Sequence, residues 1–101
     1  MAYFLQLMNL TDKGRQNFSE NPDWIKQLDK EIENLGAKIL TQYALLGQYD
    51  FVNIIEAPSD EVAAKIAIRL SATGTVLPLT LAAISLEKLI DTLRQNQRTP
   101  W

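Results

Sequence analysis

The sequence has neither cysteine nor histidine. With no thiolate and no imidazole there can be no cysteine nucleophile, no Ser-His pair, no disulfide and no zinc site of the usual Cys/His kind. Any catalysis would have to rest on carboxylates, Tyr, Lys, an amide or a borrowed cofactor. No metal and no cofactor is expected, and haem is disfavoured because its usual His ligand is missing.

Glycine and proline are sparse, four of each among 101 residues, and 47% of the residues are hydrophobic. That is globular usage and leaves no room for a long disordered segment, so one ordered domain is expected. An excess of positive charge is also missing. Ten Lys and Arg, scattered along the chain, face twelve Asp and Glu for a net charge of −2, which excludes the cationic surface that a phosphate backbone needs. Nucleic acid is therefore not an expected partner.

Long hydrophobic runs are lacking too. The longest, Val76 to Ile84, is broken by Pro78 and Thr80 and falls well short of the roughly 20 residues of a membrane span. No membrane partner is expected. The N-terminal stretch does not have the basic and long apolar segments of a signal peptide, and a cytoplasmic location is the expectation.

The order of elements follows from periodicity and caps. Tyr3 to Leu10 is aromatic and apolar with Gln6 its polar interruption, the pattern of a central strand. Thr11 is placed to cap a short helix, and Asn21-Pro22 restarts it. Ile25, Leu28, Ile32 and Leu35 recur every three or four residues in a second, amphipathic helix that Gly36 can end. Ala37 to Leu46 and Phe51 to Glu56 read as two strands of a hairpin joined through Gly47 to Asp50. Ser59 caps a third helix carrying Val62, Ala63, Ile66, Ala67 and Leu70, and Thr73-Gly74 stops it.

Val76 to Ile84 is the last strand, with Pro78 arguing for an edge position. Ser85 then caps a C-terminal helix with Leu86, Leu89, Ile90 and Leu93 on one face. The tail from Gln95 is expected to fray, with Trp101 free to dock.

These elements give an α+β fold of the ferredoxin-like βαββαβ type: a four-stranded antiparallel sheet, helices on one face, and an added C-terminal helix. Residues 1–84 form the fold proper, and residues 85–101 are a helix and tail of the same domain. Strand alternation sorts side chains onto two faces. Leu5, Leu7, Val52, Ile54, Leu79 and Leu81 are assigned to the helix-covered side. Phe4, Gln6, Met8, Phe51, Asn53, Ile55, Pro78 and Thr80, joined by Thr41 and Tyr43, are assigned to the open side. An open face that apolar exceeds what monomers expose, so a second copy of the sheet around a two-fold axis is the expected cover, with the C-terminal helix, laid on its own sheet or its neighbour's, as the rival.

Gly47-Gln48-Tyr49-Asp50, followed by Phe51-Val52 and Glu56-Ala57-Pro58, resembles the signature of the GYD-domain family. Asn9 to Gly14 and Gly74-Thr75-Val76 extend the likeness, which covers roughly residues 3 to 84. The resemblance implies a ferredoxin-like fold of the dimeric α+β barrel group and no particular reaction. Members often carry Arg in the last strand, where this chain has Leu77 and Ala82.

Six residues are candidates for a ligand site. Gln6, Tyr43, Asn53 and Thr80 are the polar groups assigned to the open face, placed to line a small-molecule pocket between sheets or to hydrogen-bond across a dimer interface. Tyr49 and Asp50 are either turn residues or a donor and base at a cavity mouth. The leading expectation is a homodimeric binding module with no chemistry of its own. Its rival is a cofactor-free isomerase or monooxygenase-like enzyme of the same fold group, an analogy of fold alone.

Overall fold

The computed structural model describes residues 1–96, and Trp101 lies outside them. The described chain runs β1 (Ala2–Leu10), α1 (Asp12–Glu20), a single 3-10 turn (Pro22–Trp24), α2 (Ile25–Asn34), β2 (Lys38–Ala44), β3 (Phe51–Ala57), α3 (Asp60–Ala72), β4 (Val76–Ala83) and α4 (Leu86–Asn96). Three of the helix starts rest on the expected hydroxyls. Thr11 Oγ1 accepts from the Gly14 N–H, Ser59 Oγ from the Val62 N–H and Ser85 Oγ from the Lys88 N–H, each satisfying a backbone donor that has no partner inside its helix. Gly36, just past α2, has φ 102°, a conformation that costs glycine nothing.

The four strands form one antiparallel sheet in the order β2-β3-β1-β4. β1 and β3 are central, and Pro78 sits on the edge strand β4, where it withholds no donor from a further neighbour. α2 packs near β2 and α3 against β4, so one face of the sheet is covered and the other is open.

The register turns each face into rows. On the covered face Ala44, Phe51, Met8 and Pro78 lie side by side, as do Ile39, Ile55, Phe4 and Ala82. Phe4, Met8, Phe51 and Ile55 are buried with Leu28 and Ile32 of α2 and Ala63, Ile66 and Leu70 of α3 in one core. Phe18 of α1 meets Phe51 edge to face, ring centroids 5.5 Å apart.

The assignment of faces made from the sequence is therefore inverted. Phe4, Gln6, Met8, Phe51, Asn53 and Ile55 are buried, whereas Leu5, Leu7, Val52 and Ile54 are half-buried and Leu79 and Leu81 exposed. Both residue sets are apolar enough for a core, so alternation separates them without saying which one faces in. Thr41 and Tyr43 do lie on the open face, because a bulge between Ile39 and Thr41 shifts the parity of β2 midway.

One close approach ties the layers together. The Thr11 N–H donates to the Thr75 carbonyl at 2.9 Å, and Gly14 lies so near that carbonyl that a Cβ there would stand 2.1 Å from its oxygen. α1 can sit on the start of β4 only because residue 14 has no side chain. α4 does the opposite and projects away from the body. The radius of gyration is 16.4 Å and the longest extent 60 Å, against a radius of roughly 13 Å for a compact chain of this size.

Candidate functional site

Two features of the sheet stand out chemically: the uncovered face, and a polar row beneath the helices. The uncovered face presents the row Tyr43, Val52, Leu7, Leu79 beside the row Thr41, Ile54, Leu5, Leu81. Tyr43 is 62% exposed, Leu79 43% and Leu81 44%. Leu77, across from Asn9 on the same face, is 60% exposed. Of these two rows' eight residues only Thr41 and the Tyr43 hydroxyl are polar. Leu86, Leu89 and Leu93 of α4 add a second exposed apolar stripe close in sequence to β4.

On the covered face, Gln42, Asn53, Gln6 and Thr80 make one continuous cross-strand row, one residue from each strand. Gln42 Nε2 lies 2.9 Å from Asn53 Oδ1 and 2.8 Å from Asp29 Oδ1 of α2 and donates to both. Gln6 and Asn53 are fully buried. Both ends of the Gln6 amide, Asn53 Nδ2 and Thr80 Oγ1 have no hydrogen-bond partner among the described residues.

The six candidate residues thus separate. Gln6, Asn53 and Thr80 are brought together, but beneath the helices and not on the open face, so they cannot line a pocket between two sheets. Tyr43 is on the open face. Tyr49 lies in the β2–β3 connection, half-buried. Asp50 is a structural clamp: its Oδ2 accepts from the Leu10 N–H at 2.8 Å, its own N–H donates to the Met8 carbonyl at 2.9 Å, and its carbonyl accepts from the Leu45 N–H at 2.8 Å. One residue closes the hairpin and fastens it to β1. Gly47, φ 132°, provides the turn that brings Asp50 there.

Sequence reasoning missed Gln42 and Asp29. Parity counted from Asn53 would have found Gln42, had the bulge in β2 been legible. Two surface pockets lie elsewhere. One of about 260 Å³ sits at the end of the sheet among Phe4, Asp60, Ala82, Ser85 and Lys88. The other, about 370 Å³, lies between α2 and α3 among Trp24, Leu28, Glu31, Arg69 and Thr75, with Arg69 Nη1 3.8 Å from Glu31 Oε1. Neither is lined by any of the six candidates. Among the described residues no helix is long and apolar enough to cross a membrane.

Comparison with known proteins agrees with this fold. The chain is 39% identical over 95 residues to the glutamine synthetase and cystathionine beta-lyase binding protein of Thermus thermophilus, covering 93% of this chain and all of the relative. Among solved structures it superposes on MtbAldR with a TM-score of 0.61 at 19% identity, over 82% of this chain and 51% of that one, so it spans about half of MtbAldR's length. It also superposes on TTHA0845 from Thermus thermophilus with a TM-score of 0.54 at 20% identity, over 83% and 94% of the two chains. At such identities the two superpositions speak for the fold alone. The GYD domain matches residues 4–93, which takes in most of α4 as well as the sheet and helices before it; the chain belongs to the GYD-domain family.

Proposed function

We propose that this chain is a binding module that works as a homodimer, joined through its open sheet face, and that its partner is a folded enzyme. The observation that carries the first part is the pair of apolar rows on that face. Burying apolar surface contributes about 25 cal/mol per Å², and a contiguous apolar patch on one side of a sheet is the surface that a two-fold symmetric copy can cover with the same residues.

α4 belongs to the same assembly. Its exposed Leu86, Leu89 and Leu93 stripe needs an apolar surface to pack on, and the open sheet face of the second copy supplies one.

The enzyme partner is supported by the relative's printed name together with its full-length match at 39% identity. A dimer would present each docking surface twice, and bivalence raises the apparent affinity for a symmetric enzyme without any new contact. The hydrogen bond that Asp50 Oδ2 accepts from the Leu10 N–H supports a structural part for this carboxylate in the hairpin.

Light scattering coupled to size exclusion, at micromolar concentration, tests the dimer: twice the chain mass is expected, and a monomer throughout the accessible range would sink it. Surface-immobilised protein challenged with purified glutamine synthetase and cystathionine beta-lyase tests the partner. Saturable binding to at least one is expected, and binding to neither removes that half of the proposal.

A further inference from the structure

The row beneath the helices has a property the dimer does not explain. Four polar atoms are buried there without partners: Gln6 Oε1, Gln6 Nε2, Asn53 Nδ2 and Thr80 Oγ1. An unmatched buried polar group is destabilising, so four left dry would take up a large part of the narrow margin by which a domain stays folded. A sequence free to place Leu or Met at position 6 would not keep such a row dry.

The geometry explains how the atoms can be served together. Gln6 is opposite Asn53 on one side and Thr80 on the other, and facing residues of an antiparallel pair stand about 4.5–5.5 Å apart at Cα. That spacing lets a single small molecule touch two side chains at once. The groups present are two amide N–H₂, one amide carbonyl and one hydroxyl. All are neutral, and together they offer both donors and acceptors, which suits a small molecule that donates and accepts.

At the β2 end the row continues through Asn53 Oδ1 and Gln42 to Asp29, which reaches solvent. The seam is thus polar from the surface inward.

From these observations we infer that the Gln6, Asn53 and Thr80 row is an internal binding site for water. One or more resident molecules bridge the two amides and the hydroxyl between the sheet and the helix layer. Buried waters of this kind make about three hydrogen bonds to groups that otherwise have none. The site is separate from the open face and stands whether or not the chain dimerises.

The test is water-to-protein NOE spectroscopy on the full chain labelled with nitrogen-15. Cross-peaks of the sign given by long-lived water are expected on the side-chain amides of Gln6 and Asn53. Absence of such cross-peaks from both amides in the native chain overturns the inference. Gln6→Met gives a second reading, because it removes an amide that the water satisfies. Its Tm should fall by about 4–8 °C, and a rise would mean that the amide was dry.

Discussion

The two faces of this sheet invert the usual relation between covering and polarity. Under α2 and α3, where a dry core is expected, the sheet carries Gln6, Asn53 and Thr80 amid Phe4, Met8, Phe51 and Ile55. On the side that nothing covers, the central strands show Leu5, Leu7, Val52 and Ile54, and the edge strand Leu79 and Leu81. A sheet with one wet face alternates hydrophobic in and polar out; this one is apolar on both sides and most polar in the middle of its covered side. The difference teaches that neither burial nor exposure in a single chain tells the polarity of a sheet face. The outer rows have the composition of an interior, and the inner row carries buried amides and a hydroxyl.

The contrast can be broken from either side. Ile55→Ala removes a fully buried side chain from the covered face and should cost about 2–5 kcal/mol, read as a drop in the denaturation midpoint at every protein concentration. Gly14→Ala, at the contact between α1 and the Thr75 carbonyl, should cost about 1–3 kcal/mol by overpacking. The obstacle there is backbone, which has little freedom to retreat. Asp50→Ala frees the Leu10 N–H and should cost about 1–2 kcal/mol, with amide exchange quickened first at the hairpin end and in β1.

Leu79→Lys sits at the other extreme. As a change to a half-exposed position it should alter the stability of the monomer by no more than about 0.5 kcal/mol. Yet it places a charge at the β4 end of an apolar row and should halve the mass measured by light scattering. If Leu79→Lys unfolded the chain as Ile55→Ala is expected to, the two faces would be equivalent parts of one core and the distinction drawn between them would fail.

Much of the architecture was legible before any coordinates. The Thr11 and Ser59 caps, the stop at Gly36, the helical stripes and the edge position of Pro78 are all local signals, carried by the residue itself and its neighbours three or four positions away. The GYD motif was legible too, and its Asp50 fastens the hairpin turn to β1. The candidate site was half legible. Gln6, Asn53 and Thr80 were picked out because polar residues are conspicuous in apolar strands, and the register does bring them together. Their side of the sheet was misread, because polar residues are expected outward and here they share parity with the larger aromatic and sulfur-bearing side chains.

What the sequence by itself determined was the element order, the helix boundaries and the division of each strand into two sets of side chains, because all three depend on spacings of two to four residues. What only the tertiary structure decided was which set lies under the helices, where the bulge in β2 resets the parity, and that α4 stands clear of the body. Those outcomes depend on how three layers fit at once: whether Ile66 and Leu70 of α3 and Leu28 and Ile32 of α2 meet Phe4, Met8 and Ile55 or the leucines behind them. Both matches bury apolar surface, and the choice between them rests on shape and on contacts between residues far apart in the chain.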